Sequence, residues 1–374
     1  MRRPRTTSLR AVLAGVVAVL AFGLTSCGAR DDLRMMLITK DQINPYFVAM
    51  QEGAEQFAKA HGVDLMLRAG AQDGDEEGQI AAIDEAIGVG VDGILITPNG
   101  PGVYDAIRQA RDAGIYVVAL DTPTEPSDVV DLNIATDNYR AGTLIGSWTA
   151  GRLGNQDAII ALLDLFDGDE VSLDGLRNQG FLSGMGIDAV DDTVKGDEAR
   201  TGTYRGGDYE IACQEPTGGN IEGGRSAIEV CLNANPDINI VYTINEPVAF
   251  GALEALDAAG ITGDDVIVVS VDGGCEGIQA IADGKLDATA QQYPIVMARE
   301  GILAIKEAVV GATDRIEIPQ RTPQSLRPVA GADEFVPSEE LGFYDAGVEL
   351  VTNEPVDGIF SINTDAASKI CWDD

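Results

Sequence analysis

The chain has 374 residues, of which 45% are hydrophobic and 44 are glycine, and this is enough for two compact domains. Its 61 acidic residues outnumber 25 basic ones, for a formal net charge of −36, so it lacks the basic surface that nucleic acid requires. A single histidine leaves few candidates for histidine catalysis. We expect an α/β protein that binds no nucleic acid.

The first 27 residues predict export. A basic start precedes an apolar run, Ala11 to Leu24, that is too short to span a bilayer. The run ends in Leu24-Thr25-Ser26-Cys27, which resembles a bacterial lipobox, and the alternative is a plain signal with an incidental cysteine. We expect a signal peptide over residues 1–26, a tether over 27–34, and a lipid on Cys27 that anchors the protein to the outer face of the cell membrane.

An exported chain can form disulfides, and four cysteines remain after Cys27. They are Cys213, Cys231, Cys275 and Cys371. The four cysteines could form two disulfide bridges, in any of three pairings. Their spacing lacks a zinc-binding pattern such as C-x-x-C.

Strand and helix patterns alternate in the first half of the chain. Strands are predicted at Val63–Ala69, Gly93–Thr97 and Tyr116–Leu120, and helices over residues 76–87 and 103–113. The pattern continues from a helix at Asn138–Leu153 to one that ends at Val310. Repeated units of this kind predict parallel sheets with helices on both faces.

The loop after the first strand carries groups suited to a sugar. Asn44 offers an amide, and Tyr46 and Phe47 offer flat faces for the C–H side of a ring. The alternative is that Asn44 only caps a helix that begins at Pro45.

Other strands also end in polar side chains that ligands meet at the carboxyl edge of a sheet. They are Asp121, Asn245, Asp272 and Gln292. Each could instead be a turn or cap residue, and Arg177, a possible partner for hydroxyls, could instead form a surface salt bridge. Such ends in two sheets predict a cleft between two lobes.

Two motifs are interpreted as structural. Residues 88–93 match G-x-G-x-x-G but precede a strand, so they predict a helix stop. Residues 73–78 resemble the start of a calcium loop but lack its final glutamate, so acids at a helix N-terminus are favoured. We expect no metal and no cofactor.

Residues 35–329 resemble the periplasmic sugar-binding proteins of the ribose-binding type, which deliver monosaccharides to ABC importers. The matching motifs are NPYFVAMQEGA, DGILITP, IATDN, INEPVAFGAL, VSVDGG and QQYP. The resemblance implies two Rossmann-like lobes that close on a sugar, with no chemical step. The implied ligand shell is Lys40, Asn44, Tyr46, Phe47, Asp121, Asn138, Arg177, Asn245, Asp272 and Gln292.

The same resemblance implies a lobe at 35–136 plus 293–323, and a second at 137–292 plus 324–374. The three-segment hinge is expected near Ala135 and near Asp272 or before it. A permease and its ATPase would be the partners of a monomeric receptor.

Departures from the family pattern bear on the sugar. Thr122 stands where ribose binders carry arginine, no aromatic lies near Gly219, and residues 196–224 look like an insertion. The tail is more similar to the fructose-binding branch, so we expect fructose before ribose. We expect Cys213 to pair with Cys231, because the helix that contains Cys231 could pack back on residues 196–224, and Cys275 to pair with Cys371.

Three other functions are considered. A repressor of the lactose type would need a basic helix-turn-helix before Met35, where the chain has the predicted signal. An enzyme is disfavoured because G-x-S-x-G is absent and the single histidine, His61, lies at a predicted helix end. Paired carboxylates could still hydrolyse glycosides, but acidic residues are too common in this chain to nominate a pair. A receptor that feeds a sensor kinase would fit the same fold.

Overall fold

A computed structural model describes residue 1 and residues 33–168, 171–263, 265–311, 337–338 and 342–372. Apart from residue 1, the predicted signal peptide lies outside these residues, as do Cys27 and most of the tether. In the part described, no helix is both long and apolar enough to cross a membrane.

Strands and helices alternate along most of the chain. The strands are β1 (Leu33–Thr39), β2 (Val63–Ala69), β3 (Gly93–Ile96), β4 (Tyr116–Leu120), β5 (Leu132–Ala135), β6 (Ala158–Asp164), β7 (Thr201–Thr203), β8 (Asp208–Pro216), β9 (Ile240–Thr243), β10 (Ile267–Asp272), β11 (Ala288–Gln291), β12 (Pro337–Ser338), β13 (Phe343–Asp345) and β14 (Glu349–Val351). The helices are α1 (Pro45–Ala60), α2 (Glu76–Val89), α3 (Tyr104–Asp112), α4 (Asn138–Leu153), α5 (Ser172–Met185), α6 (Ile221–Ala234), α7 (Glu246–Ala259), α8 (Cys275–Ala282), α9 (Pro294–Val310) and α10 (Thr364–Ala367).

The strands form two sheets of the same design. The first has the order β12-β13-β5-β4-β3-β1-β2, and the second has the order β14-β11-β10-β9-β6-β8-β7. Each sheet contains five parallel strands: β1 to β5 in the first, and β6, β8, β9, β10 and β11 in the second. β1 lies between β2 and β3, and β6 lies in the same way between β8 and β9, whereas β7 pairs antiparallel with β8 at the edge of the second sheet. The predicted α/β class with two Rossmann-like lobes is confirmed.

Helices cover both faces of the first sheet because its strands are apolar on both sides. On β1, Met35 and Leu37 pack with α1 and α9, whereas Met36 and Ile38 pack on the opposite face with α2 and α3. This alternation follows from the two-residue period of a strand.

The two helices at the start of the second lobe, α4 and α5, pack backbone against backbone. Glycines make this approach possible, since a Cβ at any of them would overlap the backbone of the facing helix: Gly142, Gly146, Gly180 and Gly184. The close contact brings Asn138, at the start of α4, beside Arg177 on α5.

The chain crosses between the sheets after β5, after β11 and between β13 and β14. The expected crossing near Asp272 is therefore wrong, because Asp272 ends β10 within the second sheet. The tail also differs from the expected division: β13 pairs with β5 in the first sheet, whereas β14 pairs with β11 in the second.

Residues 196–224 are not an insertion. They supply β8, which pairs in parallel with β6, and the short edge strand β7. The expected pairing of the cysteines is confirmed. Cys213 of β8 is bonded to Cys231 of α6, and Cys275 is bonded to Cys371.

Candidate functional site

A cavity lies between the carboxyl ends of the two sheets. It encloses about 330 Å³ of space between atoms, some of which is open to solvent. The first lobe contributes Lys40, Asn44, Tyr46, Phe47, Asp73 and Asp121, and the second contributes Leu165, Leu173, Arg177, Ile244, Asn245 and Asp272. Eight of the ten predicted shell residues thus line one cavity, and the other two, Asn138 and Gln292, support it from behind.

The two strand-end aspartates have unusual backbones. Asp121 follows β4 with φ 65° and Asp272 ends β10 with φ 139°, and among the described residues these are the non-glycine positions with positive φ. Backbone strain of this kind persists where the surrounding structure enforces it, and it concentrates at binding sites. The fold therefore holds one strained carboxylate at each side of the cavity.

Buried groups fix Asp272 in place. Its Oδ1 accepts a hydrogen bond from Gln292 Nε2 at 3.1 Å, and its Oδ2 accepts one from the backbone N–H of Glu246 at 3.3 Å. Burial raises the pKa of Asp272 to about 7, and the Arg177 guanidinium at 3.9 Å opposes this rise. Gln292 thus positions a carboxylate of the cavity.

Arg177 is buried, so a surface salt bridge is the wrong interpretation for it. Its Nε donates to Asn138 Oδ1 at 2.7 Å, and its Nη1 donates to the carbonyl oxygen of Ile244 at 2.9 Å. Asn138 in turn donates to the carbonyl of Thr136. These contacts hold the guanidinium at the cavity wall.

Asn44 and Asn245 each cap a helix and also line the cavity, so the two alternatives for these residues are both correct. The Oδ1 of Asn44 accepts from the Tyr46 N–H at 3.0 Å, and that of Asn245 accepts from the Val248 N–H at 3.1 Å, so each residue caps a helix. Both side chains also line the cavity. The helix caps therefore place amides at the site.

The apolar walls differ between the lobes. Tyr46 and Phe47 are buried and meet edge to face, with ring centroids 5.3 Å apart. The facing wall of the second lobe is aliphatic, and a side chain at Gly219 would meet Leu165. Leu165 thus fills the space where an aromatic residue was expected.

Asp73 is a cavity residue that the sequence analysis missed. Its Oδ1 lies 3.6 Å from Nζ of the buried Lys40, and within the described ranges this oxygen accepts no hydrogen bond. Burial raises the pKa of Asp73, and Lys40 lowers it. A signal was available, because Asp73 follows β2 at the same sheet edge as the other strand-end residues.

Glu246 is the second missed residue, and it directly follows Asn245. Its carboxyl oxygens accept hydrogen bonds from the N–H groups of Gly273 and Gly274 and from Thr289 Oγ1, each at 3.0 Å. Burial and the neighbouring Asp272 raise the pKa of Glu246 well above its ordinary value. The side chain fixes the turn that follows Asp272.

Apart from Asp73, which lines the cavity, the residues of the two motifs interpreted as structural have the predicted roles at the ends of α2. Asp75 caps α2 by accepting from the Gly78 N–H at 3.0 Å, and its pKa is lowered by the backbone hydrogen bonds it accepts. Gly90 ends α2 in the left-handed conformation. His61 ends α1, with Nδ1 2.8 Å from the carbonyl oxygen of Phe57. The described residues contain no acidic, histidine or cysteine cluster placed to hold a metal.

The chain is similar to proteins that are named for the small solutes they bind. The chain is 27% identical over 310 residues to the ribose import binding protein RbsB of Salmonella typhimurium, covering 83% of this chain and 95% of that protein. It is 26% identical over 354 residues to the xylitol-binding protein of Mycolicibacterium smegmatis, covering 92% and 93%.

Solved structures agree at the level of the fold. A Mycobacterium smegmatis protein in complex with β-D-fucofuranose matches with a TM-score of 0.64 and 26% identity, covering 75% of this chain and 86% of that one. An Agrobacterium vitis solute-binding protein with bound D-fucose matches with a TM-score of 0.68 and 20% identity, covering 91% and 100%. The model of the periplasmic binding protein domain matches residues 35–313, so the chain belongs to the periplasmic binding protein family.

Proposed function

We propose that the protein captures a neutral monosaccharide or a related polyol between its lobes and delivers it to an ABC importer. The observation that carries this proposal is the meeting of two strained aspartates, an anchored arginine, helix-cap amides and two aromatic rings in one cavity. Carboxylates and guanidinium groups suit adjacent hydroxyls, and aromatic faces suit the C–H side of a sugar ring. The relatives are named for ribose, D-allose, xylitol and D-apiose, which are all neutral.

The charges of the cavity favour a neutral ligand. Three carboxyl groups line it, from Asp73, Asp121 and Asp272, beside the two cations of Lys40 and Arg177, so acidic groups outnumber basic ones. A sugar acid would add a further negative charge to a buried site, where unpaired charge is costly. The cavity is small and has aromatic residues on one wall, which favours a ligand with a single sugar ring. Fructose is therefore tested first and ribose second.

We further propose that the ten residues of the predicted shell, together with Asp73, form the binding site, with Asn138 and Gln292 acting through their neighbours. The protein would be a monomeric lipoprotein, anchored through Cys27 on the outer face of the membrane, with a permease and an ATPase as partners. The site chemistry itself uses no cofactor.

A thermal-shift panel on protein lacking residues 1–27 tests the function. The panel holds fructose, ribose, allose, arabinose, xylitol and myo-inositol, with ribonate and gluconate as charged comparators. A native-state ligand at a hundred times its Kd stabilises by about 2.7 kcal/mol, so a neutral member should raise the melting temperature by several degrees.

Asp121→Asn is the matched variant, because asparagine tolerates positive φ better than alanine does. We expect it to lose most of the ligand-induced shift while its ligand-free melting temperature stays near that of the wild type. A panel without any shift would refute the sugar assignment, and unchanged binding by the variant would remove Asp121 from the site.

A further inference from the structure

The last described residues join the two lobes beside the cavity. Cys371 is bonded to Cys275 at the start of α8, with their Cα atoms 5.0 Å apart, and it packs against the apolar core of the second lobe. The next residue, Trp372, packs against the apolar core of the first lobe. The chain thus passes from one lobe to the other within a single peptide unit.

Trp372 contacts the site directly. Its ring meets Tyr46 edge to face, with centroids 5.4 Å apart and an interplanar angle of 87°. Its Nε1 donates to the carbonyl oxygen of Gln292 at 3.0 Å. Tyr46 lines the cavity on the side of the first lobe, and the side chain of Gln292 donates a hydrogen bond to Asp272 on the side of the second. Trp372 therefore contacts one residue that acts on each wall of the cavity.

A second opening of about 230 Å³ lies beside the main cavity and shares Asn44 and Asp272 with it. Trp372 borders this opening, together with Pro45 of the first lobe and Phe250 of the second. A movement that separates the lobes would have to break the contact of Trp372 with Tyr46 or carry the tail away from α8, which the disulfide prevents.

We propose that Trp372 is a positioning residue of the ligand site. Anchored on the second lobe through Cys275–Cys371, it braces Tyr46 of the first lobe, favours the closed arrangement and slows release of the ligand. The identity of the ligand in this inference rests on the proposed function. The contact between Trp372 and Tyr46 can be tested in protein without any ligand.

Release of the panel's best sugar is measured by stopped flow for the wild type, Trp372→Ala, Trp372→Phe and the double variant Cys275→Ser/Cys371→Ser. Loss of an aromatic contact and a hydrogen bond should speed release roughly tenfold or more in Trp372→Ala. Trp372→Phe keeps an aromatic edge and should lie between Trp372→Ala and the wild type. The double cysteine variant should release as fast as Trp372→Ala, because the anchor is gone.

Phe360→Ala is the control, since Phe360 is an exposed aromatic of the same tail. It should release ligand at the wild-type rate. The proposal is overturned if Trp372→Ala does so too, or if Trp372→Phe is no better than alanine and both melt far below the wild type, which would show a merely structural role.

Small-angle scattering of ligand-free protein separates this inference from the proposed function. If no sugar binds the wild type, the proposed function fails. The radius of gyration of the ligand-free proteins then decides by itself whether Trp372 holds the lobes together. A larger radius for Trp372→Ala than for the wild type and Phe360→Ala supports it, whereas equal radii reject it.

Discussion

Lys40 and Asp73 form a buried ion pair at the wall of the cavity. Lys40 is 1% exposed, and its Nζ lies 3.6 Å from Asp73 Oδ1. A charge left alone at such a depth is costly, and the loss of one partner costs more than the loss of both. The pair therefore constrains which single substitutions the site tolerates.

Lys40→Met should lower the free energy of unfolding by about 3 kcal/mol, because it leaves the Asp73 carboxyl buried without its cation. Lys40→Met/Asp73→Asn should recover most of this loss. Urea denaturation of the wild type, both single variants and the double variant at pH 7 measures the coupling. Additive losses would show that the two side chains do not interact.

Asp287 couples stability to pH. Its Oδ2 accepts from the Val268 N–H at 2.8 Å, and burial raises the pKa of Asp287 to about 6, with Glu354 adding to the rise and Arg152 opposing it. In the unfolded chain an aspartate carboxyl has a pKa near 4, so the folded state holds the proton of Asp287 more tightly than the unfolded state does. The free energy of unfolding therefore falls as the pH rises from about 4 to about 6.

Asp287→Asn should remove this loss, so its stability relative to the wild type should improve by about 2 kcal/mol between pH 4 and pH 7. Asparagine can keep the hydrogen bond, as Asn239 does when it accepts from the Ile159 N–H at 2.8 Å. Urea midpoints at the two pH values test this, and a difference that does not change with pH would contradict it.

At the scale of elements, the contact between α4 and α5 fixes Arg177. The glycines of both helices let the backbones touch, and a methyl group has no room between them. Arg177 lies on α5 and its partner Asn138 on α4, so the spacing of the helices sets their hydrogen bond.

Gly146→Ala should cost about 2–3 kcal/mol of stability, because overpacking forces the helices apart. It should also weaken sugar binding, since α5 carries Arg177. Gly88→Ala is the matched control: Gly88 lies in α2 with open space around it, and alanine there should be neutral or stabilising by up to about 1 kcal/mol. Urea denaturation and calorimetry measure both effects, and a neutral Gly146→Ala would contradict the packing argument.

Some elements were predictable because their pattern is local. The helix Asn138–Leu153 and the strands at 63–69 and 116–120 agree with the structure to the residue. β8 carries a local signal as well, since Tyr209, Ile211 and Cys213 are buried in alternation, as expected for a half-buried strand. The family comparison, which favoured an insertion over residues 196–224, led the prediction away from it.

At the scale of the whole molecule, three crossings connect two lobes whose five parallel strands have the same order, with the cavity between them. Such an arrangement opens and closes by changes at a few connecting residues. The crossing residues lie at 136–137, 292–293 and 346–348, outside the strands and helices.

Addition of the sugar that the panel identifies should lower the radius of gyration, because the ligand draws the two walls together. Small-angle scattering with and without the sugar measures this change. Asp121→Asn is the control and should show no change at the same sugar concentration. A radius that stays constant on binding would mean that the cavity forms before the ligand arrives.

The sequence by itself determined the alternation of strands and helices, the helix caps and the strand-end polar residues. These features depend on neighbours a few positions apart, whose spacing is visible in the chain. It also placed Asp121 and Asp272 at equivalent sheet edges.

The tertiary structure decided that Lys40 pairs with Asp73, that Glu246 supports the turn after Asp272, and that Trp372 reaches Tyr46. These contacts join residues far apart in the chain, and the path of each connecting loop selects them. Local patterns carry no record of that path, because many loop paths share the same short-range preferences.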